Sequence, residues 1–466
     1  MQQFFALKPA QSVVFNKSAY LGILAMTIVG CGQKTVVPTG PATQPLSGVT
    51  ITLSLSDPAL QQVLGLLSRS WATKSGARVS VANDSSGDIR LFRPVAFGEA
   101  AAKGQILPLP KALRDAANPY QINGIVDAFS EGIAGWNGRP FGVVLATETS
   151  VLVYRKDRFD DPAIRSEFKT RFSRDLAPPA TWEEAASIAG FFTEKDKKPS
   201  LAALPNDPAK LLDLFHCVAA CTDRPAITPS NSHGRKLNDV SFASEVVSFH
   251  FLYSTGKPRL TSHGFALAAE LLAAMQPSRA TGGSDDPVAA LDAGAVFSVV
   301  TMRELSRLPK GTDGAVQPKY GVAKLPGTKR YYDNAFKAVV EANGTEANFV
   351  TYLSGGWIGA VSTSCKNPDA AFELLGELGG PTGTTAVVSE PACGSGPWRG
   401  ELLDAGRKSL WYPYGFSADQ TDALIRAMRP YVATDLRNPV IGPRGPGKIN
   451  FSPRSNRTSG QRSRGK

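Results

Sequence analysis

Residues 49–81 read VTITLSLSDPALQQVLGLLSRSWATKSGARVSV and combine three local signals in one segment. Apolar residues at every second position of 49–55 predict a β-strand, because strand side chains alternate between two faces. Asp57 followed by Pro58 is typical of a helix start, with an N-cap and a proline at the first helical position. Residues 78–81 then predict a second short strand. This strand–helix–strand order favours an α/β fold with a largely parallel sheet. The apolar stripe of the helix comprises Leu60, Val63, Leu64, Leu67 and Trp71.

Similar helix starts and strand patterns recur along the chain. The string TWEE at 181–184 is a capping-box pattern, and the Asp-Pro pair at 207–208 and the Asn-Pro pair at 367–368 each begin an apolar helical segment. About 390 residues lie between the two terminal segments described below, which is enough for two domains. The further strand candidates are 141–145, 151–154, 295–300 and 358–361.

The N-terminal segment indicates export. Residues 19–30 form an apolar run that is shorter than the ~20 residues needed to cross a bilayer, and lysines precede it. The end of this run, Ile28-Val29-Gly30-Cys31, resembles the bacterial lipobox, in which the cysteine is lipidated and becomes the first residue. We therefore expect a signal peptide over 1–30 and a lipidated Cys31, the alternative being an ordinary signal peptide with an incidental cysteine. Residues 31–47 are rich in Pro, Thr and Gly and predict a flexible tether.

The positive charge of the chain is concentrated at its ends. The formal net charge is +11, but eight basic and no acidic residues follow Asp435. With the lysines at 8 and 17, they leave a body of nearly zero net charge. The composition of 437–466 predicts a disordered basic tail. Because no basic stripe with interleaved aromatic residues occurs in the body, we expect no nucleic-acid partner.

The cysteines and histidines suggest no metal centre. Neither CxxC nor HExxH occurs, so we predict no bound metal and no cofactor. In an exported protein the cysteines other than Cys31 could form two disulfides, with three possible connectivities. A pair between neighbouring cysteines on one helix would require the end of that helix to distort. The candidates for pairing are Cys217, Cys221, Cys365 and Cys393.

Six strings occur in an order that resembles the extracellular solute-binding proteins of ABC importers, in the sugar-binding, maltose-binding-protein-like family. The resemblance covers about 49–429, and the strings are DIRLFRPVAFGEAAAKGQILPL (88–109), WNGRPFGVVLATETSVLVYRKDRF (136–159), PPATWEEA (178–185), DAGAVFSVV (292–300), YGVAKLPG (320–327) and GGWIGAVSTSCKNPDAAFELL (355–375). Two positions depart from the family pattern: no proline follows Val144, and Arg93 replaces a small or aromatic residue. These departures concern the ligand.

The resemblance implies a two-lobed, periplasmic-binding-protein-like α/β fold with a hinge between the lobes and a ligand cleft. It implies a first lobe of 48–148 plus 351–385 and a second lobe of 149–350 plus 386–436. The protein would be a monomeric receptor and not an enzyme. Held at a membrane by lipidated Cys31 on the periplasmic or cell-surface side, it would capture a small solute, a carbohydrate, by lobe closure and deliver it to ABC permease subunits.

The candidate ligand-binding residues follow from strand ends and from the resemblance. Ligands of open α/β sheets lie beyond the carboxyl ends of the strands, and sugar rings stack on aromatic side chains. Some candidates also have a structural alternative: Asp57 as an N-cap, Trp357 as a core residue, and 147–149 as a solvated loop. The set comprises Ser56, Asp57, Phe92, Arg93, Thr147, Glu148, Thr149, Thr301, Met302, Tyr332, Asn334 and Trp357.

Two other functions remain open at this point. A ferric-ion receptor could use the adjacent Tyr331 and Tyr332 together with Asp333 and Glu148, because iron prefers hard anionic oxygen ligands. A secreted glycoside hydrolase could use a carboxylate pair whose separation the sequence does not give. No GxSxG elbow or Ser/His arrangement supports another hydrolase class.

Overall fold

The structure is a computed structural model that describes residues 45–84, 86–224, 249, 258–282, 285–342, 347–353, 355–432 and 436–437. The predicted signal peptide, Cys31 and nearly all of the tether and the basic tail lie outside the described residues. Within the described ranges, no helix is both long and apolar enough to cross a membrane.

Short strands alternate with helices along the described chain, as the sequence pattern predicts. The strands are β1 (Thr50–Ser54), β2 (Arg78–Ala82), β3 (Ile89–Phe92), β4 (Gly135–Trp136), β5 (Arg139–Pro140), β6 (Val143–Glu148), β7 (Ser150–Arg155), β8 (Asp223–Arg224), β9 (Phe297–Thr301), β10 (Tyr320–Ala323), β11 (Arg330–Asp333), β12 (Ala338–Glu341), β13 (Thr351–Tyr352), β14 (Gly355–Val361) and β15 (Leu436–Arg437). The α-helices are α1 (Pro58–Ser75), α2 (Pro94–Ala102), α3 (Lys156–Phe159), α4 (Pro162–Phe172), α5 (Trp182–Asp196), α6 (Pro208–Thr222), α7 (His263–Ala274), α8 (Pro287–Asp292), α9 (Met302–Leu305), α10 (Pro368–Gly379), α11 (Pro381–Val388) and α12 (Ala418–Met428).

Short turns of other helix types complete the secondary structure. A π-helical turn covers Ala128–Ile133. The 3-10 turns cover Lys111–Arg114, Ile122–Gly124, Gln276–Ser278, Gly400–Leu403, Ala405–Tyr414 and Arg429–Val432.

The opening segment folds as its pattern predicts. Asp57 caps α1, since its Oδ1 accepts hydrogen bonds from the amides of Ala59 and Leu60, both at 3.1 Å. Leu64 and Trp71 of the predicted apolar stripe are buried in the core. The helix ends at Gly76, whose φ of 82° is the left-handed conformation that glycine adopts at helix C-termini.

The first sheet has the order β2-β1-β3-β14-β6. Strand β1 pairs in parallel with β2 and β3, whereas β14 runs antiparallel to both β3 and β6. The strands β1, β3 and β6 therefore point the same way and end at one edge of the sheet. The prediction of a largely parallel sheet is confirmed for this lobe.

The second lobe contains an antiparallel sheet, which the opening pattern does not predict. Its order is β10-β7-β9, and Ser150 at the start of β7 lies opposite Thr301 at the end of β9. Because side chains alternate along β7, Val151 and Val153 join the larger core cluster, which contains the first sheet and also Val300 of β9, while Leu152 faces the core around Trp182. The chain at β7 therefore contributes to both cores, as do Tyr352 and Leu353 just before β14.

The C-terminal part of the chain contacts the segment before the 3-10 turn Ile122–Gly124, the end of α10 and strand β10. The buried guanidinium of Arg399 donates to the carbonyls of Gln121 and Gly379, at 2.9 and 3.0 Å. Gln420 on α12 donates to the carbonyl of Tyr320 on β10 at 3.0 Å. The lobe boundaries given by the resemblance stay a prediction.

The predicted disulfides do not occur between the described cysteines. No S–S bond joins any two of Cys217, Cys221, Cys365 and Cys393. Helix α6 stays regular through Thr222, and this keeps the nearest pair on successive turns instead of distorting the helix end. The Sγ of Cys221 instead donates to the carbonyl of Val350 at 3.5 Å. The prediction of disulfides among these four residues is wrong.

Candidate functional site

Several predicted residues meet at the edge of the first sheet where β1, β3 and β6 end. Asp57 follows β1, Arg93 follows β3, and Glu148 is the last residue of β6. Because β14 runs the opposite way, its first residues, including Trp357, lie at the same edge. Carboxyl ends of parallel strands are where ligands bind in open α/β sheets.

Arg93, Glu148 and Trp357 form one contact cluster at this edge. Arg93 Nη1 donates to Glu148 Oε1 at 2.5 Å, and the guanidinium carbon lies 4.3 Å from the centroid of the Trp357 ring. The Arg93 and Glu148 side chains are 42% and 41% exposed, so a solute can reach both. The cluster thus presents a flat cation held on an indole, with a carboxylate beside it.

Two glycines at the start of β14 make this arrangement possible. A Cβ on Gly355 would clash with the Glu148 carboxylate, because it would lie 2.2 Å from Oε2. Gly356 has a φ of 135°, and a Cβ there would lie 2.4 Å from the carbonyl oxygen of Ala146. Only glycine fits both positions without moving β6 or its terminal carboxylate.

The second lobe reaches the site through α9. Arg303 Nη2 donates to Asp57 Oδ2 at 2.9 Å and to the carbonyl of Cys393 at 3.2 Å. Asp57 therefore caps α1 with one carboxylate oxygen and holds an ion pair across the lobes with the other. Arg303 was missed by the sequence analysis, although its place directly after a strand end and in the first turn of a helix was a usable signal. The exposed Ser56 lies next to this pair in the chain.

Thr301 and Met302 have structural environments. Thr301 is the N-cap of α9 in a complete capping box with Glu304. Its side chain is partly accessible at the cleft end of β9, opposite Ser150. Met302 is fully buried in the core, so its side chain is not available to a solute, unlike the prediction. It packs in the same apolar cluster as Val300 and Leu305, where a flexible thioether side chain fills the core.

The crossing residues Thr147 and Thr149 are buried, whereas Glu148 between them is accessible. Thr147 Oγ1 donates to the carbonyl of Gly396 at 3.0 Å, and its amide donates to Ser395 Oγ at 2.9 Å. A Cβ on Gly396 would overlap Thr149 Oγ1 at 1.9 Å. Thr147 therefore holds the 395–396 segment by hydrogen bonds and Thr149 packs against it, and neither side chain is accessible for the ligand contacts that were predicted.

Phe92 also belongs to the core. It is 8% exposed and packs edge-to-face against Phe97, with ring centroids 6.1 Å apart. Of the two residues predicted at the end of β3, the structure places Arg93 in the cluster and Phe92 beneath it. Alternation of side chains along the strand separates these neighbours.

Tyr332 and Asn334 lie elsewhere in the second lobe. Tyr332 on β11 stacks on His263 at 4.9 Å, and Asn334 Nδ2 donates to Asp223 Oδ1 at 3.2 Å. Asp223 directly follows α6. It lies about 15 Å along the helix axis from Asp213, because ten residues at 1.5 Å each separate the two. The polar loop after β11 therefore does not join the cluster at the first sheet.

The geometry of strand β11 contradicts the ferric-ion alternative. Tyr331 and Tyr332 are successive residues of β11, so their side chains point to opposite faces. The Tyr331 hydroxyl accepts a hydrogen bond from Arg224 Nη1 at 3.0 Å, whereas the Tyr332 ring stacks on His263. They cannot converge on one ion. Across the described residues, no group of three or more His, Cys, Asp or Glu side chains could hold a metal.

A polar group near the cleft was missed by the sequence analysis. Asp213 on α6 lies 3.5 Å from the hydroxyl of Tyr352, which in turn lies 3.0 Å from His216 Nδ1. Burial raises the pKa of Asp213 to about 6, and the negative charge of Glu148 adds to this effect. A carboxylate in the middle of the apolar stretch LLDLFHCVAA was the available signal.

Comparison with known proteins places this fold. No family model matches the chain, and no curated protein matches it. Among solved structures, the cyclic alpha-maltosyl-1,6-maltose binding protein from Arthrobacter globiformis is similar, with a TM-score of 0.55, 14% identity and coverage of 84% of this chain and 87% of that one. The sugar-binding protein MalE from the phytopathogen Xanthomonas citri has a TM-score of 0.55 and 15% identity, covering 84% and 86% of the two chains.

A third similar structure is the SBP RafE in complex with raffinose, with a TM-score of 0.51, 14% identity and coverage of 84% of this chain and 90% of that one. At these identities the similarity establishes the fold. The two-lobed, periplasmic-binding-protein-like α/β fold that the sequence resemblance implies is confirmed.

Proposed function

We propose that this protein is an extracytoplasmic solute receptor that binds a carbohydrate between its two lobes and delivers it to an ABC permease. The observation that carries the proposal is the accessible Arg93–Glu148–Trp357 cluster, which lies at the sheet edge where β1, β3 and β6 end and where Asp57 pairs with Arg303. The fold shared with proteins named for sugar binding supports it. Those three proteins are named as binding proteins and not as enzymes, so nothing favours the glycoside hydrolase alternative.

The cluster supplies both contacts that a sugar needs. The indole of Trp357, on which Arg93 lies, would offer a flat apolar surface to the C–H face of a pyranose once that guanidinium moves aside, and Glu148 would accept hydrogen bonds from hydroxyl groups. Arg93 uses only Nη1 for Glu148, so its Nε and Nη2 donors could serve sugar oxygens. A ligand that engages Arg93 and Arg303 together would stabilise the closed arrangement of the lobes.

The location and the anchor follow from the N-terminal segment. We propose cleavage before Cys31, lipidation of that cysteine and attachment through 31–47, which holds the receptor at a membrane near its permease. Acyl chains contribute about 0.8 kcal/mol per buried methylene, so more than one chain is needed for stable attachment. The lobes would comprise 48–148 plus 351–385 and 149–350 plus 386–436.

The proposal is tested by calorimetric titration of the purified chain with oligosaccharides, monosaccharides, amino acids, phosphate and ferric citrate. A saccharide should bind, and Trp357→Leu should weaken it about two- to tenfold, since stacking on one aromatic ring contributes about 0.5–1.5 kcal/mol beyond its buried area. Trp136→Leu is the matched control, because this tryptophan is also partly buried but lies on β4. Binding of another solute class alone, or equal loss in the two variants, would refute the carbohydrate site.

A further inference from the structure

Strand β12 forms an open edge of a small sheet in the second lobe. This three-stranded sheet has the order β12-β11-β8, and β12 runs antiparallel to β11, with Glu341 opposite Arg330 and Ala338 opposite Asp333. Among the described residues, no other strand pairs with β12. The outer side of β12 therefore carries backbone donors and acceptors that this sheet does not use.

The register of the hairpin shows which backbone groups of β12 point outward. The amide of Ala342 donates to the carbonyl of Lys329 at 2.7 Å, and this bond continues the register of the β11–β12 pairs. In an antiparallel ladder, hydrogen-bonded pairs alternate with pairs that are not hydrogen-bonded to each other. Counted back from Ala342, Val340 therefore directs its amide and carbonyl toward β11, whereas Val339 and Glu341 direct theirs toward the free edge.

This edge and the turn before it also expose apolar side chains. Phe336 in the turn is 77% exposed, which is the largest exposed fraction of any large hydrophobic residue that the structure describes, and Val339 is 49% exposed. The strand itself reads AVVE and contains neither lysine nor proline, two residues that commonly protect an exposed strand edge from further pairing. The edge is therefore suited to pair with another strand.

The charges at the two ends of β12 are complementary to each other. Lys337 directly precedes the strand and Glu341 ends it, so the two lie symmetrically about Val339, and both side chains are exposed. When two copies of β12 pair antiparallel about Val339, Lys337 of each copy lies opposite Glu341 of the other, and opposite charges across strands are favourable. Since Glu341 already lies opposite Arg330 of its own hairpin, this carboxylate would then have a cation on each side.

We propose that two copies of this chain associate through β12, antiparallel and about a two-fold axis at Val339, so that their small sheets become one continuous sheet. Among the registers in which outward backbone groups meet, this one gives the longest overlap of 337–341 and pairs the opposite charges, which favours a second copy as the partner. The Val339 side chains would meet at the axis. The contact is short, so the dimer should be weak and depend on concentration.

This association extends beyond the monomeric receptor that the family resemblance implies. It does not depend on the carbohydrate site, since it uses no residue of the Arg93–Glu148–Trp357 cluster.

The test is sedimentation equilibrium of the purified chain. Its weight-average mass should rise from that of a monomer toward that of a dimer between about 5 and 500 μM, as expected for a small interface. Val339→Pro should raise the dissociation constant at least tenfold, because proline has no amide to donate and is tolerated only where a strand edge stays unpaired. The hairpin should keep its fold, since the Val339 amide points away from β11, and circular dichroism checks this.

Charge reversal gives a second readout that does not require proline to be tolerated. Glu341→Lys and Lys337→Glu should each weaken association about tenfold, because each variant places two like-charged pairs across the axis. An equal mixture of these two variants should associate again, since every cross-strand pair between them joins opposite charges. Phe336→Ala should also weaken the dimer. Leu66→Ala is the matched control, because it removes a side chain that is 57% exposed on α1, and it should change nothing.

Three results would overturn the inference: a monomer at every concentration, a dimer that folded Val339→Pro leaves unchanged, or a mixture of the two charge variants that associates no better than each variant alone. The first would leave the edge to a strand of another protein, and the second would place the contact on another surface. None of them affects the saccharide titration with Trp357→Leu, so failure of this interface and failure of the proposed function are distinguishable.

Discussion

Replacing Asp213 by asparagine should make the stability of the protein less dependent on pH. Burial raises the pKa of this carboxyl from 3.8 to about 6. The negative charge of Glu148 raises the pKa further, whereas the hydrogen bond from the Tyr352 hydroxyl lowers it. A raised carboxyl pKa means that the folded protein holds the proton more tightly than the unfolded chain. The native state is therefore favoured below pH 3.8, and that advantage is lost as the pH rises to about 6.

The magnitude follows from the shift. Two pKa units correspond to about 3 kcal/mol, since each unit equals about 1.4 kcal/mol. The Asp213 side chain is only partly buried, so solvent screening reduces this figure, and we expect about 2 kcal/mol between pH 4 and pH 7. Asparagine is nearly the same shape, can still accept from Tyr352 and carries no charge. Asp213→Asn should therefore be more stable than the native protein at pH 7 and similar to it at pH 4.

Urea unfolding at a series of pH values from 4 to 7.5 measures this difference, with the slope of each transition compared between variants. Asp115→Asn is the control, because an exposed carboxylate should alter the profile by less than about 0.5 kcal/mol. Parallel profiles for the native protein and Asp213→Asn would show that Asp213 is neutralised by a partner or by water in the folded state. The reasoning for a partly buried, ionised carboxylate near the cleft would then be refuted.

Three other expectations concern the backbone, the lobe contact and the thiols. Gly356→Ala should lower the free energy of unfolding by about 1–3 kcal/mol in urea titrations, because the new Cβ meets the carbonyl oxygen of Ala146 at a positive φ; an unchanged midpoint would contradict this. Arg303→Gln removes the ion pair with Asp57, and a loss of about 0.2–1 kcal/mol would raise the open fraction up to fivefold. Small-angle scattering of the solute-free variant should show a larger radius of gyration, and an identical curve would argue against a role of this pair in closure. Denatured, unreduced protein should be alkylated at every thiol that the structure leaves unbonded, as read by mass spectrometry, and a missing adduct would reveal a disulfide. These thiols are Cys217, Cys221, Cys365 and Cys393.

The sequence located the strand ends but not the direction of each side chain there. Arg93 and Phe92 are neighbours at the end of β3, yet one is 42% exposed on its side chain and the other is in the core. The same holds for Glu148, which is accessible, between the buried Thr147 and Thr149. Such differences depend on which face of the sheet the rest of the chain covers, and in this case the 395–396 segment covers the threonines.

The residues missed by the sequence analysis are those whose significance depends on distant partners. Arg303 is 246 positions from Asp57 in the chain, and no local sequence pattern predicts the ion pair between them. Asp213 resembles any single polar residue of an amphipathic helix until its tertiary contacts are known. The two residues assigned to the wrong region are Tyr332 on β11 and Asn334 just after it, and their position depends on contacts with His263 and with Asp223 after the end of α6.

Local chemistry in the sequence determined the elements of this protein. Alternation from 49 to 55, the Asp57 cap and the apolar stripe to Trp71 specify a strand and a helix because each depends on neighbours within a few residues. The resemblance of six ordered strings extended this to the two-lobed fold. Tertiary structure alone decided that β14 enters between β3 and β6, that Arg93 lies on Trp357, and that Asp213 lies beside Tyr352. These contacts join residues far apart in sequence, and their geometry depends on how two sheets and their covering helices pack, which no local periodicity encodes.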